Sequence, residues 1–502
     1  MEAALRERRN LLVPINNLPV DILLLIPTHL TSLSDRLRVT FVCRHWRTHF
    51  LQYPPLWSEL CLVAGRDQHL VTTHLERVKG YPLDVTLDYC HQLRPDLTSL
   101  LPFAQQIKDL FADSTDWDDI EELSASISGL LPFLRTLAIE DVSLDNIPHP
   151  PPAPVPFFGG ATNLKEFSLT VWDSPPLWSF NFPNLTTFNL RTWARSETYP
   201  VSCLLGFLEA SPSLQQIDIS VGSGTFWEDI PPDRVLVLPC VELFSLCATT
   251  GGFGCEILTH ISCPAVKSAK FKRLGGTGDT IPEDIHPPSQ PLSTLIRQYS
   301  SGTVEEVIIE PTMDEDLNIN CSLGFRSPGG ATLQLIYVQY PAGDPDNIGI
   351  ILDKCFSQIS GTMKNLPLTS SARNLCIRSG GFPINSLVLT TNNIGKLLGV
   401  MGPLEGLTLS GCNLRPYLGT FVDTPLLPDT VPAGPLPAIK ELTIVNPARS
   451  FRNDERSAAG IVKLARLQSL RGIPFGRMIF HTEVPFHVVE ELLLSVSEVE
   501  RL

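Results

Sequence analysis

The chain has 502 residues, 43% of them hydrophobic and 18% charged, with a formal net charge of -15. Its length predicts two or more domains or one elongated repeat array. The apolar share predicts a folded chain, and the acidity argues against nucleic acid as a partner. No apolar run approaches the roughly 20 residues that span a bilayer, so no membrane partner is expected.

Residues 1–15 form a charged N-terminal extension. The opening MEAALRERRNLL has neither the apolar core nor the cleavage site of a signal peptide. The expected location is therefore the cytoplasm, the nucleus or both, with the 12 cysteines reduced and mostly buried. Residues 16–63 predict three short helices. Pro19 and Asp21 mark the start of the first, and Ile22, Leu23, Ile26 and Leu30 recur at three- and four-residue steps, as one buried face does. Pro27 falls inside this helix and is expected to kink or end it. A second helix is capped by Ser34 or Asp35 and carries Leu37, Val39, Phe41 and Val42. A third runs from Arg44 through Trp46 and Phe50 to Leu51 and stops at Pro54-Pro55. So small a bundle cannot bury all these apolar side chains, and the surplus predicts a surface for a partner. The alternative is a self-contained hairpin packed on the next domain.

This stretch resembles the F-box. The matching residues are Leu18-Pro19-x-Asp21-Ile22-Leu23-x-x-Ile26, Asp35-Arg36-Leu37, Val42-Cys43-Arg44-x-Trp46 and Leu56-Trp57. The resemblance covers about a tenth of the chain. It implies docking on the Skp adaptor, and through it on the cullin, of a cullin-RING ubiquitin ligase. It assigns Leu18, Pro19, Ile22, Leu23, Ile26, Val42 and Trp46 to contacting or supporting that adaptor.

Residues 64–130 read as a helix over 67–79 ended by Gly80, a strand over 82–87, and a second helix from Pro95 to Phe111. The acidic run Asp113–Glu122 reads as a solvated linker or as an acidic patch for a basic partner. From residue 131 to 502 a pattern of apolar residues at i, i+3 and i+5 keeps returning. Its copies are Leu134-Leu137-Ile139, Leu164-Phe167-Leu169, Leu185-Phe188-Leu190, Leu214-Ile217-Ile219, Val241-Phe244-Leu246, Val266-Ala269-Phe271 and Val304-Val307-Ile309. They continue as Leu333-Ile336-Val338, Ala372-Leu375-Ile377, Ile384-Leu387-Leu389, Leu404-Leu407-Leu409, Ile439-Leu442-Ile444 and Val489-Leu492-Leu494. Proline precedes many of them, as Pro132, Pro183 and Pro403 do.

This pattern resembles a divergent leucine-rich repeat. One copy carries the full signature, Leu404-x-x-Leu407-x-Leu409-x-x-Cys412-x-Leu414. The fold class expected is α/β: a small three-helix F-box followed by an irregular leucine-rich-repeat-like solenoid, in which each coil buries its leucines only against its neighbours. A rival reading is an ordinary α/β domain whose strands share the pattern. Residues 147–156, 275–290 and 418–437 are expected to be proline- and glycine-rich loops, serving either as contacts or as tolerated length. A helix over 457–471 should bury Ile461, Leu464, Leu467 and Leu470, and a strand followed by a helix should close the chain from Phe486.

No catalytic or cofactor motif emerges, and no cofactor is expected. Gly275-Gly276-Thr277-Gly278 is followed by Asp279 and lacks a phosphate-loop lysine. Cys240, Cys247, Cys255 and Cys263 lie too far apart for the close pairs of a zinc site, so core packing is expected of Cys240 and Cys247 and no metal. His45 and His49 lie one turn apart and read as surface histidines. The expectation is therefore an adaptor and not an enzyme, with the repeats holding a protein substrate on a concave sheet. The variable strand positions Glu166, Ser168, Gln216, Asp218, Glu306, Ile308, Glu441 and Thr443 are the candidate contacts. The alternatives are a scaffold that recruits no ligase and an enzyme grafted on the repeats. The overall organisation resembles the F-box proteins of mushroom-forming fungi.

Overall fold

A computed structural model describes residues 9, 12–30, 33–63, 68–89, 97–113, 117–127, 129–142, 158, 161–172, 180–192, 198–221, 225–227, 234–248, 260–273, 304–313, 318–327, 330, 332–341, 356–357, 359–360, 363–364, 372–378, 397–401, 404–411, 439–445 and 455–501. The fold is mixed α/β, with a helical N-terminal region and a large sheet-rich remainder. It divides into two units, residues 1–217 and 218–502.

The first unit opens with a 3₁₀ turn at Pro14–Asn17 and three helices: α1 (Val20–Leu25), α2 (Leu33–Val39) and α3 (Arg44–Leu51). The α-helical part of α1 stops at Leu25 and runs into a 3₁₀ turn over Ile26–His29, because Pro27 has no amide to continue the ladder. After a 3₁₀ turn at Pro54–Trp57 come β1 (Glu59–Val63), α4 (Gln68–Val78), β2 (Leu83–Asp88), β3 (Ile107–Asp113), α5 (Trp117–Ile127), β4 (Thr136–Val142), β5 (Glu166–Val171), β6 (Thr187–Thr192), β7 (Thr198–Pro200) and α6 (Val201–Glu209). The strands from β1 to β6 pair in parallel and in chain order.

The register follows from the apolar pattern. Leu60, Val85, Leu110, Leu137, Phe167 and Phe188 face one another across successive strands and are buried, as is the row two residues on from Leu62 to Leu190. Side chains between them point to the other face. Helices cover the buried face: α4 inserts Val71, Leu75 and Val78 at helical spacing, and α5 inserts Ile120, Leu123 and Ile127. Phe167 packs among Phe180, Phe182, Phe188 and Phe207 with ring centroids 4.8–6.1 Å apart. The unit boundary falls inside β8 (Gln216–Val221).

The second unit contains β9 (Thr225–Trp227), β10 (Leu236–Val237), β11 (Leu243–Ala248), β12 (Ile261–Ser262), β13 (Ser268–Arg273), β14 (Glu306–Met313), β15 (Asn318–Arg326), β16 (Thr332–Pro341), β17 (Asn374–Arg378), β18 (Gly406–Ser410), β19 (Glu441–Val445), α7 (Glu455–Leu470), β20 (Arg477–His481), α8 (Phe486–Leu493) and β21 (Glu498–Arg501). β17 to β21 again pair in parallel and in chain order. Between β13 and β17 the order reverses. β13 pairs with β16, β16 with β15 antiparallel, β15 with β14 antiparallel, and β14 with β17. The meander enters the sheet backwards, so its outer strands still run parallel to their neighbours.

Several expectations are corrected here. Residues 95–111 do not form one helix: a 3₁₀ turn spans Leu101–Gln106 and β3 begins at Ile107, because Ile107, Leu110 and Ala112 serve the sheet. Of the acidic run, Asp113 ends β3 and residues 117–122 form the first turns of α5, where Asp118 and Asp119 suit the positive helix end; residues 114–116 lie outside the described residues. The copy at Leu333 is out of phase, since Leu333 and Leu335 are opposite Ala269 and Phe271. Val489-Leu492-Leu494 lies in and just after α8, with Leu494 exposed. The strands at this end carry Met478 and Val499, and the last two elements come as helix then strand. The helix α7 buries Ile461, Leu464 and Leu467 but exposes Leu470. Cys240 is exposed and Cys247 half-buried, whereas Cys263 is buried and its thiol is pushed up to about 12 by that burial. Cys255, Cys412, Leu414, the copy at Ile384 and the loops 147–156, 275–290 and 418–437 lie outside the described residues. No helix among the described residues is long and apolar enough to cross a membrane.

Candidate partner-docking site

The first three helices are built around two tryptophans. On α3, Trp46 and Phe50 are one turn apart, point inward and meet edge to face at 5.4 Å. Trp46 donates its indole hydrogen to Asn16 Oδ1 at 2.6 Å, which fastens the turn before α1 to α3. Trp57 lies deeper. Its indole donates to the Phe50 carbonyl at 3.2 Å, its edge meets His74 at 5.3 Å, and the Arg77 guanidinium stacks over it at 4.4 Å. Arg36 of α2, only 12% exposed, donates to the Leu30 carbonyl at 2.8 Å and pairs with Glu59 of β1 at 2.7 Å.

These anchors decide which apolar side chains face out. Leu23 is fully buried, whereas Ile22 and Leu25, three residues apart on α1, and Leu18, in the extended link ahead of it, are exposed, Ile22 at 44% and Leu25 at 50%. Ile22 and Leu23 therefore do not share one buried face, as their spacing had suggested. The α2–α3 corner is set by Arg47, which donates to the Thr40 carbonyl at 3.1 Å and lies 5.4 Å from the Phe41 ring centroid. Phe41, at 71% exposure, and Val42 project from that corner. Leu12, Val13, Ile15 and Val20 are exposed too. Of the seven residues assigned to the adaptor, Leu18, Pro19, Ile22 and Val42 lie outside, Leu23 and Trp46 inside, and Ile26 between. Sequence reasoning missed Leu25 and Phe41. The three-residue step from Ile22 was the signal for Leu25.

His45 and His49 lie edge to face at 4.7 Å and are half-buried, not fully exposed. Among the described residues, no group of three or more His, Cys, Asp or Glu is placed to hold a metal ion.

The proposed substrate contacts all sit on strands at positions that alternate with the core. Glu166 is in register with Thr136 and Thr187, and Ser168 with Ala138 and Asn189. Gln216 and Asp218 lie on β8. Glu306 pairs with Arg326 at 2.9 Å, and Ile308 stands opposite Cys376 and Gly324. Glu441 pairs with Arg477 at 3.8 Å, and Thr443 is in register with Thr408 and Ile479. The structure extends the Glu166 row to Asp109, Asp84 and Glu59, which sequence reasoning did not connect.

A search of curated proteins finds no match to the chain. The sequence model of the F-box-like family matches residues 15–63, the span that holds all three helices, both tryptophans and these exposed apolar side chains. The chain carries an F-box-like domain over those residues.

Proposed function

We propose that the protein is a substrate-recognition adaptor of an SCF-type ubiquitin ligase and not a catalyst. The F-box-like domain over 16–63 docks on the Skp adaptor, which links it to a cullin, and the remainder, from 64 onward, holds a protein substrate. The observation that carries this reading is the set of exposed apolar side chains Leu18, Ile22, Leu25 and Val42, in a segment that matches the F-box-like family. Four or five such side chains, at about 1.5–3 kcal/mol each when buried, are enough to anchor a specific interface. Leu23, Ile26 and Trp46 support that set from behind, and Pro19 starts the helix that presents Ile22 and Leu25.

The remainder reads as an irregular leucine-rich-repeat-like array. Its support is the parallel pairing in chain order from β2 to β6 and from β17 to β21, with core positions recurring every 21–30 residues in the first series. Glu166, Ser168, Gln216, Asp218, Glu306, Ile308, Glu441 and Thr443 stand on the face away from the buried rows. A substrate held there gains ubiquitin by effective concentration, not by chemistry on this chain. The location is the cytoplasm, the nucleus or both, and the organisation is that of the F-box proteins of mushroom-forming fungi.

Co-purification with the Skp adaptor tests this, using the full chain beside Leu18→Arg and Ile22→Asp. Wild type should capture the adaptor, and both variants should lose it with circular dichroism unchanged. Failure of the wild type to bind overturns the reading. Capture of the adaptor without cullin would make the protein a scaffold that recruits no ligase.

A further inference from the structure

On the half-exposed face of β1 to β4, Glu59, Asp84, Asp109 and Thr136 stand directly opposite one another. Like charges so placed repel across a sheet. A β-bulge alters the local geometry: Leu83 pairs with Ile107 and Asp84 with Asp109, so Lys108 is the extra residue of β3. Its ammonium lies 2.5 Å from Asp109 Oδ2 and 3.7 Å from Asp84 Oδ1. One cation thus serves two carboxyls that stand opposite each other on adjacent strands. The other charged groups around the pair are Glu59 on β1, itself held by Arg36, and Arg135 just ahead of β4.

We propose that Asp84 and Asp109 share one proton across β2 and β3, with Lys108 as their common counter-ion, and that this pair is a pH-responsive element that sets the charge of the open sheet face.

The roles within the pair are unequal. Burial, a hydrogen bond to Asp109 and the nearby Asp109 and Glu59 carboxylates raise Asp84 to about 6, against the pull of Lys108. Burial also pushes Asp109 up, but hydrogen bonds with Lys108, Thr136 and Asp84 outweigh it and hold Asp109 below its ordinary value. The shared proton therefore rides on Asp84, which donates to the Asp109 carboxylate, and it leaves to solvent as the pH rises. A carboxyl raised in the folded state stabilises the fold most below the ordinary carboxylate range, and loses that contribution as pH rises through its folded value.

The test is the melting temperature of the full chain against pH, from about 4.5 to 7.5, for wild type, Asp84→Asn, Asp109→Asn and Lys108→Met, with the infrared band of the protonated carboxyl followed in parallel. Asparagine mimics the protonated acid. Asp84→Asn should exceed wild type by a margin that grows up to about pH 6 and then levels off, and it should lack the protonated band. In Asp109→Asn the band should vanish at a pH lower by about one unit or more, and in Lys108→Met at a higher one. A melting difference flat across the range, or a band indifferent to Asp109→Asn, overturns the proposal. Where a variant does not fold, the band in the remaining two decides.

Discussion

Trp46 and Asn16, thirty residues apart, are joined by a 2.6 Å hydrogen bond from the indole Nε1 to the side-chain oxygen. The bond closes the segment that matches the F-box-like family on itself, since Asn16 lies in the turn ahead of α1 and Trp46 on α3. Asn16→Ala should cost about 1 kcal/mol, while Trp46→Ala should cost about 3–5 kcal/mol because the ring also packs on Phe50. In a double-mutant cycle read by urea midpoints, the two should couple. Strictly additive costs would mean the bond contributes nothing.

Adjacent residues on α1 have opposite tasks. Leu23→Ala should destabilise the fold by about 2–5 kcal/mol, because the side chain is wholly buried. Ile22→Ala should leave the melting temperature nearly unchanged and weaken adaptor capture only. Thermal melts and pull-downs on both variants check this, and equal destabilisation would refute the assigned facing.

Helix α4 ends through two consecutive residues with positive φ, Lys79 at 51° and Gly80 at 79°. Gly80→Ala should destabilise by about 1–2 kcal/mol even though no atom lies within 4 Å of the added Cβ. Lys79→Gly should be neutral or stabilise by up to about 1 kcal/mol. A neutral Gly80→Ala in chemical denaturation would show that the turn tolerates a side chain.

Arg36 and Glu59 join α2 to β1, but their environments differ. Arg36 is nearly buried and also bonds the Leu30 carbonyl, whereas the Glu59 side chain is 49% exposed. Arg36→Met should therefore cost about 1–3 kcal/mol, and Glu59→Gln about 1 kcal/mol or less. Should Glu59→Gln prove the more damaging in urea melts, the anchor lies in the ion pair and not in the carbonyl contact.

The sequence by itself determined the local features. The bounds of α3 at Arg44 and Leu51, the break at Pro27, the stop at Gly80 and the alternation of buried and half-exposed strand positions all follow from dihedral limits and side-chain period. Tertiary structure alone decided the pairings. Alternation shows that Leu333 belongs to a strand, but not that β16 lies beside β13 with the meander reversed. The step of three or four marks α1 as amphipathic, yet whether Ile22 or Leu23 turns inward depends on where Trp46 and Phe50 stand. Ile107 to Ala112 fit a helix or a strand equally well until β2 offers its free edge. The meeting of Asp84 with Asp109 is likewise a product of register, because strand pairing couples residues that the chain itself holds far apart.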